Sequence, residues 1–71
     1  MDDVSKTFQT RLRGILVERN IYEADLCKKA GISTGAINRW LWSGELPNAR
    51  SLKKLCEALH ESADYLLGIN E

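Results

Sequence analysis

Residues 23–42 carry the pattern that most limits the folds open to this chain. Gly31 separates two short helical patterns, as glycine does where a helix ends in the left-handed region. The small residue Cys27 lies one turn earlier, where two helices could approach each other closely. The apolar residues that would fill the angle between these helices are Leu26, Ala30, Ile32, Ile37 and Trp40. Together these features predict a compact helix-turn-helix unit spanning residues 23–42.

Helical spacing of apolar residues elsewhere predicts an all-α fold of five short helices. The stripe on the first helix is formed by Phe8, Leu12, Ile15 and Leu16. Ser33, Asn48 and Ser62 are good N-caps for the third, fourth and fifth helices. The second, third and fifth helices are predicted over about residues 23–30, 34–42 and 63–67. Since 71 residues is the size of one small domain, residues 1–71 are assigned to a single domain.

Charge is unevenly distributed along the chain, although the formal net charge is zero. Residues 6–54 hold all ten basic residues and only four acidic ones, which gives this stretch a net charge of +6. The other six acidic residues lie near the two ends. Segregated positive charge is typical of a surface that binds a polyanion. An ordinary surface of mixed charge accounts for the composition equally well.

The cysteine and histidine content argues against metal and catalytic sites. Cys27, Cys56 and His60 are too few and too scattered for a structural zinc site, which needs four ligands. We expect two buried free thiols, with one disulfide as the alternative. His60 has no partner residues for catalysis, so we predict no enzyme activity, no cofactor and no small-molecule ligand. No apolar run approaches the ~20 residues that cross a bilayer, and the N-terminus is acidic, which predicts a cytoplasmic location without membrane contact.

The chain resembles the lambda-repressor-like helix-turn-helix family, the Cro and XRE type of bacterial and phage regulators. The resemblance covers about residues 8–68, nearly the whole chain. The segments that carry it include Gly31-Ile32-Ser33, Ile37-Asn38-Arg39-Trp40, Pro47 and Ser62-Ala63-Asp64-Tyr65-Leu66-Leu67-Gly68. It implies a compact five-helix fold and a transcriptional regulator, typically a repressor, that acts at the nucleoid of a bacterial or phage-infected cell. The implied partner is double-stranded operator DNA, usually palindromic and bound by a homodimer.

In this family the third helix enters the major groove, so the resemblance implies base-reading residues on its outward positions. Those positions are Thr34, Gly35, Asn38 and Arg39. Arg39 can donate two hydrogen bonds to guanine O6 and N7, and Asn38 can pair with adenine N6 and N7. Thr34 can contact a thymine methyl group or a phosphate. Gly35 either allows close approach of the helix backbone to DNA or is simply an exposed position in the first turn.

Phosphate contacts are expected around this helix, where hydroxyl groups, helix N-termini and basic side chains commonly bind the DNA backbone. The candidate residues are Ser33, Ser43, Trp42, Tyr22, Arg13, Lys6 and Arg50. Each basic residue in this set is equally well explained as a solvated surface charge. Trp42 either rests on the sugar-phosphate backbone or joins Leu46 in an exposed apolar patch, and such patches usually mark partner surfaces.

Three features depart from the family pattern. Many members carry glutamine at the position of Glu23, where its amide contacts a phosphate, so Glu23 either turns away or lowers DNA affinity. Many members also have an Arg–Glu pair linking the first and third helices, at the positions of Leu16 and Leu41. Since apolar packing can replace a buried ion pair without loss of stability, we interpret these leucines as such a replacement. Tyr22 is a poor N-cap for the second helix, and its hydroxyl is available for DNA.

A protein-interaction module on the same scaffold is the alternative function, because a fold does not determine its function. Examples are an antitoxin, an adaptor or a regulator with weak or lost DNA binding. The neutral net charge, Glu23 and Gly35 favour this alternative, whereas Asn38, Arg39 and the positive middle segment favour DNA. The candidate dimer surface consists of Trp42, Leu46 and residues 65–69.

Overall fold

The computed structural model describes residues 3–69, and five α-helices lie within this range. They are α1 (Val4–Glu18), α2 (Glu23–Ala30), α3 (Thr34–Asn38), α4 (Ala49–Leu59) and α5 (Ala63–Leu67). The all-α class and the five predicted helices are confirmed. The terminal acidic residues Asp2 and Glu71 lie outside the described residues, and the assignment of residues 1–71 to one domain stays a prediction.

The third helix differs from its predicted form in its last turn. After α3, the chain continues as a π-helical segment over Arg39–Ser43. The name third helix is used below for α3 and this segment together. This segment ends at Gly44, whose φ is 76° and whose N–H donates to the carbonyl oxygen of Arg39. A glycine takes this left-handed conformation without the steric cost of a Cβ. The wider π winding thus ends the helical stretch one residue later than predicted.

Helix starts follow the capping residues identified in the sequence. The side chain of Ser33 accepts a hydrogen bond from the backbone N–H of Ala36 at 3.2 Å. Asn48 and Ser62 do the same for the residues three positions later, at 2.8 and 3.1 Å. Tyr22 makes no side-chain capping bond, as expected for a poor cap. The starts of α3, α4 and α5 are therefore each stabilised by one hydrogen bond from a backbone N–H to a short side chain.

Gly31 adopts the left-handed conformation expected from the sequence, with φ at 69°, and Asn20, after the end of α1, adopts it as well, with φ at 56°. His60 also adopts this conformation, with φ at 54°, and forms the C-cap of α4. His60 is exposed to solvent. Non-glycine residues in this region are strained, and asparagine and histidine tolerate it better than most.

The same substitution at two glycines is expected to change stability in opposite directions. Gly31→Ala should lower the free energy of unfolding by about 1 kcal/mol, because alanine is strained at a φ of 69°. Gly14 lies in the middle of α1, where an added Cβ would meet only open space, so Gly14→Ala should raise it by about 0.5–1 kcal/mol. Urea unfolding followed by circular dichroism measures both values. Shifts of the same sign would contradict this assignment of the two glycines.

The core is formed by apolar side chains from every helix. Its buried members are Phe8, Leu12, Ile15, Leu16, Leu26, Ile37, Trp40, Leu41, Leu55, Ala58, Leu59 and Leu66. Trp40 is 4% exposed, as expected from its phase with Ile37. Leu16 and Leu41 are both in this core, which fits their interpretation as an apolar replacement for an ion pair.

The two cysteines are free thiols, so the alternative of a disulfide is wrong. Both are half-buried, which corrects the expectation that they are fully buried. Each lies at the edge of the core, packed against it without being enclosed. Partial burial raises the pKa of the Cys56 thiol, and the nearby carboxylates of Glu61 and Glu57 raise it further. The thiol form of Cys56 is therefore favoured over the reactive thiolate.

Helix α1 fixes the end of the third helix through one carbonyl group. The carbonyl oxygen of Leu41 accepts hydrogen bonds from Gln9 Nε2 at 2.5 Å and from Arg13 Nε at 2.9 Å. The last carbonyls of a helix have no partner within the helix, and these side chains provide one. The contact joins the π-helical segment to a 15-residue helix. The third helix is therefore held at its C-terminal end by α1.

Candidate nucleic-acid interface

The third helix presents its outward residues to solvent. Thr34, Gly35, Asn38 and Arg39 are all exposed. Ile37 and Trp40, on the opposite side, are buried at 0% and 4% exposure. The predicted separation of packing residues from solvent-facing residues is thus present, and the candidate base readers share one accessible helix.

Arg39 has an acidic neighbour that the sequence analysis missed. Its Nε lies 3.3 Å from Oε1 of Glu45. Six positions separate these residues, which is not a regular helical spacing, so helical periodicity gave no signal for the pair. The Nη1 atom of Arg39 lies 3.5 Å from the point where a Cβ on Gly35 would stand. Gly35 thus borders the space that the arginine side chain occupies, a role distinct from close approach to DNA.

Glu23, Trp42 and Arg13 form a cluster between α1, α2 and the π-helical segment. The indole Nε1 of Trp42 donates to Oε2 of Glu23 at 3.4 Å. The guanidinium carbon of Arg13 lies 4.5 Å from the centroid of the Trp42 ring, within the range of a cation–π contact. Glu23 therefore has a partner on its own chain, and Trp42 is ordered by contacts on both sides.

An apolar groove of about 400 Å³ runs beside this cluster. Its lining residues include Leu16, Val17, Ile21, Tyr22, Leu41 and Trp42. Val17, Tyr22 and Trp42 are 80%, 68% and 57% exposed, respectively. The exposed apolar neighbours of Trp42 in this groove are thus Val17 and Tyr22, and a patch of Trp42 with Leu46 stays a prediction. Leu46 is 40% exposed and does not line the groove.

The remaining phosphate candidates lie at several places on the surface. Ser33 uses its hydroxyl oxygen as a cap acceptor, which leaves its proton available for donation. Ser43 and Arg50 are exposed, next to the two ends of the loop between the π-helical segment and α4. Lys6 is exposed in the first turn of α1, in a shallow depression with Thr7 and Arg11. The structure therefore groups Arg13, Trp42 and Tyr22 around one groove, whereas Lys6 lies at another.

The C-terminal part of the predicted dimer surface is also partly exposed. Tyr65 and Ile69 are 43% and 48% exposed. Arg11 lies over the Tyr65 ring, 4.6 Å from its centroid, and donates to the Tyr65 carbonyl oxygen at 2.6 Å. This contact attaches α5 to α1 and orders the tyrosine side chain at the surface.

Comparison with known proteins now identifies the family. A family model described as Cro/C1-type HTH DNA-binding domain matches residues 11–70. The chain belongs to this family. No curated protein and no solved structure matches the chain. As a Cro/C1-type domain, it is a DNA-binding domain with a helix-turn-helix, and the resemblance seen in the sequence is confirmed.

The Cro/C1-type match also bears on what else the domain does. Families of this type are typically not enzymes. Within residues 3–69, no cluster of three or more histidine, cysteine or acidic side chains could bind a metal ion. In the same range, no helix has the length and apolar character needed to cross a membrane. DNA binding is thus the activity that the family supports.

Proposed function

We propose that this domain is a sequence-specific transcriptional regulator, most simply a repressor, that reads the major groove with residues 34–43. The observation that carries the proposal is the exposed row of outward side chains above the buried Ile37 and Trp40. Asn38 and Arg39 have the hydrogen-bonding groups that distinguish adenine and guanine in the major groove. Thr34 adds a methyl and a hydroxyl group. Gly35 leaves space beside Arg39 and would also allow close approach of the helix backbone to DNA.

The side chains proposed to contact DNA phosphates lie around the third helix, which is the proposed reading helix. Arg13 and Trp42 would contact the phosphate backbone of one DNA strand, and the Tyr22 hydroxyl would lie beside them. Arg13 is ordered by the Leu41 carbonyl and the Trp42 ring, so it would lose little side-chain freedom on binding. The other proposed phosphate contacts are Ser33, Ser43, Arg50 and Lys6. Such contacts position a protein on DNA without reading its sequence.

We also propose that the domain binds a palindromic operator as a homodimer. Large exposed apolar side chains support this, because they are common at the centres of protein interfaces. The candidates are Trp42, Leu46 and the segment 65–69, of which Trp42 also serves the proposed DNA surface. Sedimentation velocity with and without operator DNA measures the oligomeric state of the protein. A single monomer on the DNA would contradict the dimer and leave DNA binding intact.

The alternative function, a protein-interaction module, is favoured by one observation. The groove beside Trp42 exposes Val17 and Tyr22, and contiguous apolar patches often bind partner proteins. The same groove borders the cluster proposed to contact phosphate. A domain of this alternative class would bind duplex DNA weakly and without sequence preference.

Binding-site selection from random duplex DNA separates the two functions. For a sequence-reading regulator we expect one enriched sequence with two-fold symmetry. Fluorescence anisotropy on that sequence should then show a steep loss of affinity with salt, because each phosphate contact adds nearly one unit to the logarithmic slope. No enrichment, together with equally weak binding to every duplex, would contradict the proposed function.

Glu23→Gln is expected to tighten DNA binding about fivefold. The glutamine oxygen can still accept the hydrogen bond from Trp42, while its amide adds a donor and the charge that repels phosphate is removed. A gained hydrogen bond contributes about 1 kcal/mol, which corresponds to this factor. Anisotropy titrations of the selected site at one salt concentration measure the change. The matched control is Glu18→Gln, an exposed glutamate of α1 outside the cluster, and an equal gain there would show a simple net-charge effect.

A further inference from the structure

Arg39 and Glu45 form an ion pair on the surface that carries the proposed base readers. The Nε atom of Arg39 lies 3.3 Å from Oε1 of Glu45, and the two side chains are 53% and 59% exposed. The Nη1 atom of the same guanidinium lies 3.5 Å from the position that a Cβ on Gly35 would occupy. Both Glu45 and Gly35 therefore border the arginine side chain.

The backbone fixes Glu45 next to Arg39. The carbonyl oxygen of Arg39 accepts the N–H of Gly44, and also that of Glu45 at 3.4 Å. Gly44 makes this possible through its φ of 76°, which turns the chain back over the π-helical segment. The carboxylate is therefore attached to the same turn as the guanidinium, and the ion pair is a product of how the helix ends.

The pair leaves one edge of the guanidinium for DNA. An arginine side chain has five N–H donors in one plane, and Glu45 engages the Nε side. The edge formed by Nη1 and Nη2 can donate two parallel hydrogen bonds to guanine O6 and N7. A side chain that is already ordered loses less rotamer freedom when it binds. The ion pair therefore favours the contact to guanine.

The carboxylate has the opposite effect on contacts that carry no sequence information. Binding to arbitrary DNA depends on positive charge that faces the phosphates. Glu45 offsets the charge of Arg39 locally, and its own carboxylate is repelled by phosphate. Its charge thus weakens binding to every sequence, whereas the ordering of Arg39 helps only where a guanine lies opposite.

We propose that Glu45 is a positioning residue that sets DNA specificity by holding Arg39 for guanine and opposing its use as a phosphate contact. This inference rests on the proposed function, since it concerns the same reading helix. It predicts that loss of the carboxylate raises affinity for arbitrary DNA and lowers the ratio of specific to non-specific affinity.

The test measures this ratio for Glu45→Gln by anisotropy, with the selected site and a scrambled duplex of equal length. We expect the ratio to fall about three- to tenfold, the range that follows from the freedom of one long side chain. Affinity for the scrambled duplex should rise, whereas affinity for the selected site should rise less or fall, because only the selected site benefits from an ordered Arg39. Thermal melting should be nearly unchanged, because exposed ion pairs contribute little to folding stability.

Two comparisons separate this role from a general charge effect. Glu57→Gln is the matched control, because Glu57 also belongs to an exposed ion pair, with Lys53 at 2.7 Å. It changes the net charge equally and should leave the ratio unchanged. In an Arg39→Ala background, Glu45→Gln should no longer lower the ratio.

The outcomes distinguish this inference from the function on which it rests. An unchanged ratio in Glu45→Gln, or an equal fall with and without Arg39, would overturn the role of Glu45 while the wild type still discriminates between sequences. A wild type that binds both duplexes equally would instead contradict the proposed function.

Discussion

Arg39→Ala should weaken binding to the selected site by about 1–3 kcal/mol, or roughly 5- to 150-fold. The physical reason is the loss of two hydrogen bonds to guanine, which no neighbouring side chain replaces. Selection repeated with the variant should show relaxed preference at one base pair of each half-site. Folding should be unaffected, since the side chain is 53% exposed and its ion pair lies at the surface.

Lys54→Ala is the control for charge alone. Lys54 is an exposed residue of α4 and is not among the candidate readers. Its loss should affect all duplexes to a similar, small degree and leave the selected sequence intact. If Arg39→Ala instead reduces affinity for every sequence equally, Arg39 is a phosphate contact and the base-reading assignment is wrong.

Phe8→Ala should destabilise the fold by about 3–5 kcal/mol, because it removes a fully buried ring from the core. A domain of 71 residues has a total stability of roughly 4–10 kcal/mol at ordinary values per residue. The loss is therefore a large fraction of the total stability. Urea unfolding followed by circular dichroism gives the loss directly.

Val17→Ala provides the comparison within the same helix. Val17 is 80% exposed, so its truncation should change the free energy of unfolding by no more than about 0.5 kcal/mol. Comparable losses for the two variants would contradict the core described above. The Val17 variant also tests the groove, because a partner protein bound there would lose affinity while DNA binding remains.

The features that could be predicted from the sequence are those that depend on residues close together in the chain. Ser33 and Asn48 cap their helices through backbone groups only three residues away. Gly31 ends α2 because the backbone conformation there favours glycine. The outward placement of Asn38 and Arg39 follows from their phase relative to Ile37. Requirements of this local kind produce patterns that can be recognised in the sequence.

Other features depend on contacts between segments that are distant in the chain, and such contacts leave no periodic pattern in the sequence. The Leu41 carbonyl accepts from Gln9, 32 positions away, and Trp42 donates to Glu23, 19 positions away. The sequence of the π-helical segment shows no apolar spacing that distinguishes it from the continuation of an α-helix. Half-burial of the cysteines depends on how completely neighbouring helices cover them. These features require the assembled structure.

The anchoring of the Leu41 carbonyl has a consequence for how this protein could change its target. A free helix of this length would be mostly unfolded in water, so the order of the reading helix is supplied by its neighbours. Gln9 and Arg13, which hold its end, belong to α1 and are not among the proposed base readers. New residues at positions 34, 38 and 39 could therefore redirect the domain to a different operator, with the support of that helix retained. Under the proposed function, the outward positions of the third helix would thus be exchangeable in the design of domains with new DNA targets.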